Sequence, residues 1–485
     1  MENSNDNKAL KAGVWYIICN FFVKGATFLT TPLFTRLLSQ DDIGQFSNIV
    51  AWVSIFTVVT TFDLYASITL AKFDYADDLD TYVSSILVLG TGIAAVSYVV
   101  FLFVKEWAVD FFSIDERTLH IIFAYMLVYP ALQIFQIKSR MYYKYKLSVF
   151  FTILTFFLSS FTSLVCVLVS KDKLQGRITG FYIPLIVFNV ILYLVLFCKS
   201  PHIRIKYWKY SLAISIPLIF HTLAGNLLGS CDRIIITRVC GATDNALYSI
   251  AYTCATPASV LWSSMNTAWA PWAYEQMDSR AYDRLKEYSK PYTIVFVVIV
   301  VGFMLISPEL LYLIGGALYQ KAIYVIPPIM IGFICQFVYS FYVNVEFYEK
   351  KQSLIALGTG LAALLNIVLN HIFVPLYGYV AAAYTTMIGY LFLCIFHSII
   401  VRFIKKSSYY DNRFFSVVLG GSFVIGFLMN IIYKTTALRI CLLCIGVVAL
   451  VAVLVFLRKE IGDSIKTKSL APILNCVITK RGKEI

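Results

Sequence analysis

Residues 35–47 read TRLLSQDDIGQFS, and residues 237–249 read TRVCGATDNALYS. A Thr-Arg pair, an aspartate seven positions after the Thr, and an aromatic residue followed by Ser recur at a constant offset of 202 residues. The same offset carries Leu174-Gln175-Gly176 and Tyr182 onto Leu376-Tyr377-Gly378 and Tyr384. Two matches in phase, far apart in the chain, mark a duplicated unit.

Around these markers, apolar runs of about 20 residues alternate with short polar breaks. They predict fourteen helices, over 12–35, 44–70, 82–104, 118–138, 147–170, 177–198, 211–237, 244–270, 291–315, 322–348, 353–373, 378–401, 414–433 and 438–457. Each can cross roughly 30 Å of hydrocarbon at about 1.5 Å per residue. The offset joins helix 1 to helix 7 and helix 6 to helix 12, so each repeat holds six helices. An even number sends both copies into the membrane in the same direction, which gives a pseudo-twofold axis along the membrane normal. The expected fold is therefore an all-α integral membrane protein of about fourteen transmembrane helices. One six-helix lobe spans 1–200 and a second spans 201–401, with 199–210 as their hinge. Residues 402–485 add two helices and a basic tail. Two such bundles enclose a cavity that opens alternately to each side as they rock.

Composition agrees. Of 485 residues, 59% are hydrophobic and 14% charged, against about 45–50% and 25% in soluble domains. The net charge of +13 belongs to the loops. With the N-terminus inside, 28 Lys and Arg lie on inner segments and 10 on outer ones, while Lys24 and Arg233 lie within spans. That bias predicts both termini in the cytoplasm and removes any need for a nucleic-acid partner. The polar start, residues 1–13, lacks a small-residue cleavage signature, so the first helix is expected to stay as an anchor. Cys441 and Cys444 sit in ICLLCIG and read as helix packing rather than metal or redox chemistry. No P-loop, HExxH or GxSxG is present, and no loop before the tail exceeds about 20 residues. No catalytic residue, metal site or cofactor is expected, and the protein is not expected to be an enzyme.

Polar residues within spans should face protein or water rather than lipid. Helix 1 carries Asn20, Lys24, Thr27 and Thr31 on one face. Lys24 lies roughly 18 Å from the helix start, where a charge costs about 2.5–3.5 kcal/mol even on the lenient insertion scale. It either faces a substrate or pairs with Asp63. Helix 4 presents Tyr125, Tyr129, Gln133, Gln136 and Arg140. Helix 7 presents His221, Gly225, Asn226, Gly229, Asp232 and Arg233. Gly225 and Gly229 predict close packing on a neighbouring helix. His221 is either a proton carrier or a satisfied core histidine, and Arg233 either pairs with Asp232 or binds an anion. Gln336, Ser340, Asn344 and Glu346 follow on helix 10, and Thr359, Asn366 and Asn370 on helix 11. Amides and hydroxyls suit sugar hydroxyls, and cations suit phosphate oxygens. Thr35-Arg36 with Asp42, and Thr237-Arg238 with Asp244, predict helix-end turns closed by an Arg–carboxylate contact.

The segments PLFTRLLSQDDIGQFS (32–47), NTAWAPWAYEQM (266–277), FYEKKQS (347–353) and VPLYGYVAAAYTT (374–386) resemble those of bacterial polysaccharide flippases. These proteins share a superfamily with multidrug and toxin extrusion proteins and lipid II flippases. The resemblance covers 12–401. It departs at helix 2, where Asp63-Leu64-Tyr65-Ala66 replaces a Gly-containing segment. It implies a V-shaped cavity in the bacterial inner membrane. It also implies transfer of an undecaprenyl-diphosphate-linked oligosaccharide to the outer leaflet for O-antigen, capsule or exopolysaccharide synthesis. The partners implied are that lipid-linked oligosaccharide, membrane lipids and other polysaccharide assembly proteins. In that setting Lys24, with Arg233, would neutralise the diphosphate. Asn20, Gln133, Gln336, Asn366 and Asn370 would contact sugar, and Asp63, His221 and Glu346 would couple transport to H+ or Na+. The competing readings are a cation-coupled multidrug exporter of the same fold, and a membrane glycosyltransferase or polymerase.

Overall fold

The computed structural model describes residues 25–142, 144–404, 409–446 and 448, which form helices joined by short loops, with no strand among them. The first eight are α1 (25–37), α2 (Gln40–Thr61), α3 (Ile68–Asp74), α4 (Leu79–Phe103), α5 (Lys105–Phe112), α6 (Glu116–Met141), α7 (Tyr145–Val169) and α8 (Lys173–Phe197). There follow α9 (Ile205–Cys240), α10 (Ala242–Asp278), α11 (Tyr282–Gly315), α12 (Ile326–Tyr348), α13 (Gln352–Tyr377), α14 (Tyr379–Ile404), α15 (Asn412–Ile432) and α16 (Thr436–Gly446). Among the described residues, eleven helices are long and apolar enough to cross a membrane. The more polar α10 takes another expected position. The first and last expected spans lie partly outside the described residues.

Helix starts follow from local chemistry. Ser39 accepts from the Asp42 amide while the Asp42 carboxylate accepts from the Ser39 amide, a reciprocal cap on α2. Asp115, Asp172 and Asp411 cap α6, α8 and α15 in the same way, each accepting from an amide three residues on. Asp42 is therefore spent on the cap. Arg36 donates to the Leu313 carbonyl and Arg238 stacks on Phe111, so the Arg–carboxylate turns expected at these motifs are replaced by backbone and ring contacts. Gly241 turns α9 into α10 at φ 95°, ψ 167°, backbone that only glycine adopts at low cost. The expected helix over 44–70 is broken. Phe62 and Asp63 both take the left-handed conformation at φ 51°, and a 3-10 turn, Leu64–Ser67, leads into α3.

The same pairs pack in both lobes: α6 and α7 with α8, α12 and α13 with α14. The axis between the lobes is located by one contact. Ser47 and Ser249, equivalent under the 202-residue offset, lie 2.6 Å apart through their hydroxyls. A residue that touches its own repeat equivalent sits at the twofold. One turn earlier α2 meets the start of α10, where a Cβ on Gly44 would fall 1.7 Å from the Ala242 carbonyl oxygen. The Gly44 carbonyl accepts from Asn245 Nδ2 at 2.8 Å.

Loops on either side of the bundle differ in charge, and the lobes meet at the Lys/Arg-poor end. Thr35 donates to Ile314 O, Arg36 to Leu313 O and Gln40 to Leu318 O. With the Ser47–Ser249 and Asn245–Gly44 bonds, these make five hydrogen bonds between the lobes near that end. The described hydrogen bonds that join the lobes elsewhere are all made by α9. Its 36 residues, roughly 54 Å of helix, pack first on the N-terminal lobe. There Arg204 and Tyr207 bond Asp78, and Ser211 bonds Ser67. Its later turns pack on α13. By repeat α9 belongs to the second lobe, yet its first half is held by the other.

Replacing Gly44 with Val should therefore force α2 and α10 apart. The expected loss is roughly 1–3 kcal/mol of stability, as for an overpacked core, read as a lower melting temperature of the purified protein. Gly92→Ala, where nothing lies within 4 Å of the added carbon, should leave it unchanged.

Candidate functional site

The polar residues inside the bundle gather along α9. Near its middle, Thr222 donates to Asp63 Oδ2 at 3.0 Å, and Ser215 donates to the Asp63 carbonyl. The broken backbone at Phe62-Asp63 is what turns this carboxylate toward α9. Tyr65 and Tyr129 stand beside it. Lys24, the expected partner of Asp63, lies outside the described residues, as does Asn20.

Ten residues further along α9, roughly 15 Å, comes Asp232. It is buried and surrounded by donors. Tyr248 Oη donates to Oδ2 at 2.6 Å, Thr386 Oγ1 donates to Oδ2, and Asn370 Nδ2 donates to Oδ1 at 2.7 Å. Asn366 links the set, donating to Thr386 and accepting from Asn370 and Cys231. Thr385 donates to the Asn370 carbonyl. A buried carboxylate needs such donors, because unpaired charge in low dielectric is expensive. Asn366 and Asn370, expected on sugar, turn their amides to this network in the present conformation. The oxygens of Asp232, Asn366, Asn370 and Thr386 are hard donors of the kind that hold alkali and alkaline-earth cations. Here they are engaged with one another.

Arg233 faces away from Asp232. Its Nη1 donates to the Gly229 carbonyl at 2.9 Å, and its guanidinium lies over Tyr252, 4.7 Å from the ring centre. Gly225 and Gly229 share that face, and nothing lies within 4 Å of where their Cβ atoms would be. The expected close packing at this glycine pair is corrected: the pair borders open space, with Arg233 at its edge. Gln133 and Gln336 are half-buried. His221 is half-buried too, with Nδ1 buried and unpartnered.

Glu346 is fully buried between α12 and α14. Its Oε1 meets His397 Nδ1 at 2.8 Å, while Glu346 Oε2 and His397 Nε2 are left without partners. The sequence flagged Glu346 and missed His397, because the two are 51 residues apart and no periodicity links α12 to α14. Tyr248, Thr385 and Thr386 were visible only as parts of quoted motifs. Their convergence on Asp232 depends on how α10 and α14 pack on α9.

A third feature is apolar. α11, α15 and α16 enclose a groove of about 590 Å³ lined by residues such as Val297, Val301, Phe303, Ile425, Met429 and Leu443. Arg439 of α16, buried and paired with Glu309 of α11 through both carboxylate oxygens, holds one side of it.

A family model described as "Polysaccharide biosynthesis protein" matches residues 9–277. No curated protein sequence matches the chain. Among solved structures, the lipid II flippase MurJ in an inward closed conformation is similar at a TM-score of 0.68 and 16% identity, over 92% of this chain and 98% of that one. A multidrug resistance MATE family transporter of the MOP superfamily, in an inward-facing conformation, gives a TM-score of 0.57 at 14% identity over 80% and 99%. A MOP superfamily transporter from Pyrococcus furiosus gives 0.52 at 14% over 82% and 95%. These likenesses establish the fold: two six-helix lobes with two further helices.

The Asp232 network sets its own test. Asp232→Ala strips the acceptor from three buried donors and should cost roughly 1–3 kcal/mol or more, measured as a fall in melting temperature. Asp232→Asn keeps the shape and one acceptor oxygen, and should cost less.

Proposed function

The chain belongs to the polysaccharide biosynthesis protein family, and from that premise we propose that it flips an undecaprenyl-diphosphate-linked oligosaccharide across the bacterial inner membrane by alternating access. The observation that carries the reading is the joining of two matched lobes at one end only, apart from the strut α9. Five hydrogen bonds at roughly 0.5–1.5 kcal/mol each hold that end closed. Their sum is a few kcal/mol, a gap that a ligand favouring the other state can reverse.

By the charge bias, the closed end faces outward and the termini lie in the cytoplasm. The cavity would then receive its cargo from the cytoplasmic leaflet. The sugar head travels between the lobes, with Gln133 and Gln336 as contacts. Lys24 and Arg233 neutralise the diphosphate. Asn20, Asn366 and Asn370 join the sugar contacts as the lobes rearrange. The prenyl chain stays in lipid, and the groove between α11 and α15–α16 is a site of matching chemistry. Transport, not catalysis, is the activity, and other polysaccharide assembly proteins are the expected partners.

Rocking needs an energy source. Asp63, His221 and Glu346 are candidates for coupling to H+ or Na+, and the Asp232 network joins them. Its carboxylate already gathers amide and hydroxyl oxygens, so a small cation would replace internal bonds rather than enter a bare cavity. A drug exporter of the same fold is the second reading. Against it, the MATE transporter matches only about the share of the chain that the twelve repeated helices occupy, whereas the flippase match extends further.

Deleting the gene should remove the surface glycan and leave its lipid-linked repeat unit on the cytoplasmic leaflet, measured by extraction and mass spectrometry. Lys24→Ala should give the same loss at unchanged protein level. Unaltered glycan with increased drug sensitivity in the deletion strain would replace the flippase reading with the exporter.

A further inference from the structure

At the Lys/Arg-poor end, in the first turns of α8, the Arg177 guanidinium lies between two rings. Its Cζ is 3.8 Å from the centre of Phe34 and 4.1 Å from that of Phe46. These rings come from α1 and α2, so three helices of the N-terminal lobe hold one cation. Stacking satisfies the flat faces of a guanidinium but not its in-plane N–H groups. Arg177 Nε and Nη1 are buried and have no hydrogen-bond partner. Among the described residues no carboxylate pairs with Arg177.

A further donor comes from the opposite lobe. Tyr319 lies in the 3-10 segment Ala317–Val325 between α11 and α12, within electrostatic reach of Arg177. Its side chain is almost fully buried, and its hydroxyl too has no partner. The segment is fixed against α1 and α2 by the Thr35–Ile314 and Gln40–Leu318 bonds. On the other side Lys173 donates to Leu37 O at 2.9 Å. Donors from both lobes are thus brought together, dry and unspent, at the point where the lobes close.

We propose that Arg177 and Tyr319 form an inter-lobe binding site for a phosphate-class oxyanion, complete only while the Lys/Arg-poor end is closed. Phosphate oxygens are acceptors only, carry charge and receive donors from several directions, which suits a guanidinium edge and a phenol on different lobes. An anion that touches both lobes binds the closed state better than the open one, so its occupancy shifts the population toward closure. Opening separates Arg177 from Tyr319 and releases it. The physiological ligand rests on the flippase reading, whose cargo carries a diphosphate past this point. The site itself does not depend on that reading.

The test uses the purified full chain and inorganic pyrophosphate at matched ionic strength. The readouts are melting temperature and the rate at which a Ser47→Cys/Ser249→Cys pair cross-links, which reports closure at the axis. Pyrophosphate should raise the first by several degrees and the second several-fold. Arg177→Gln and Tyr319→Phe should each raise the half-effective concentration at least tenfold, and Arg177→Lys should lie between. No response in the unaltered protein, or an equal response in the folded variants, overturns the proposal. If Arg177→Gln does not fold, Tyr319→Phe, which removes a single oxygen, decides. A prenyl diphosphate acting at a hundredfold lower concentration than pyrophosphate identifies a lipid headgroup as the ligand. Equal potency identifies a free anion. None of these readouts involves glycan, so a failed anion site and a failed flippase assignment are told apart.

Discussion

The backbone contact between α2 and α10 is the constraint on which the arrangement of lobes depends. Gly44 lets one helix reach the Ala242 carbonyl, and the serines that follow meet across the twofold. No larger side chain fits between such surfaces without moving them apart. The contact is small and close to one end. It therefore acts as a pivot rather than a broad seam, and the lobes can separate on the far side while staying in register at the axis. A buried interface of many large side chains would weld the halves together. Five hydrogen bonds and one close approach do not.

The helix α9 supplies the second constraint. It touches the N-terminal lobe through its first half and the C-terminal lobe through its second, and it meets a buried carboxylate in each. Asp63 takes a hydroxyl from Thr222, while Asp232 is part of the helix itself. In a lipid-surrounded protein, neither carboxylate can be left bare. Whatever alters the charge or partners of either one changes the packing of a helix shared by both lobes. That gives a physical route from ion binding to lobe movement without a dedicated linker. Arg177 does the converse at the closed end, where a cation lacks an acceptor and donors from the two lobes converge.

Much of the fold was legible because the bilayer leaves the chain few choices. Backbone amides have no water to bond in hydrocarbon, so an apolar run of sufficient length becomes a helix. A duplicated even number of helices must then give parallel lobes. The break at Phe62-Asp63 was not legible, since the surrounding residues continue an apolar run and only their left-handed backbone interrupts it. The glycine pair on α9 misled for a related reason. Gly225 and Gly229 have the spacing of a packing motif, and spacing does not say whether a neighbour is present.

Hydropathy and the 202-residue repeat were enough to set the number of spans, the pairing of halves and the presence of polar faces, because those features follow from the chain's contact with lipid. Which polar residues meet was a matter of helix packing. Asp232 acquires Tyr248, Asn370 and Thr386 from three helices, Glu346 acquires His397 across 51 residues, and Arg177 faces Tyr319 of the other lobe. Such partners are brought together by crossing angles and helix rotations. These depend on side-chain interlocking across the whole bundle, and no local pattern along the chain encodes them.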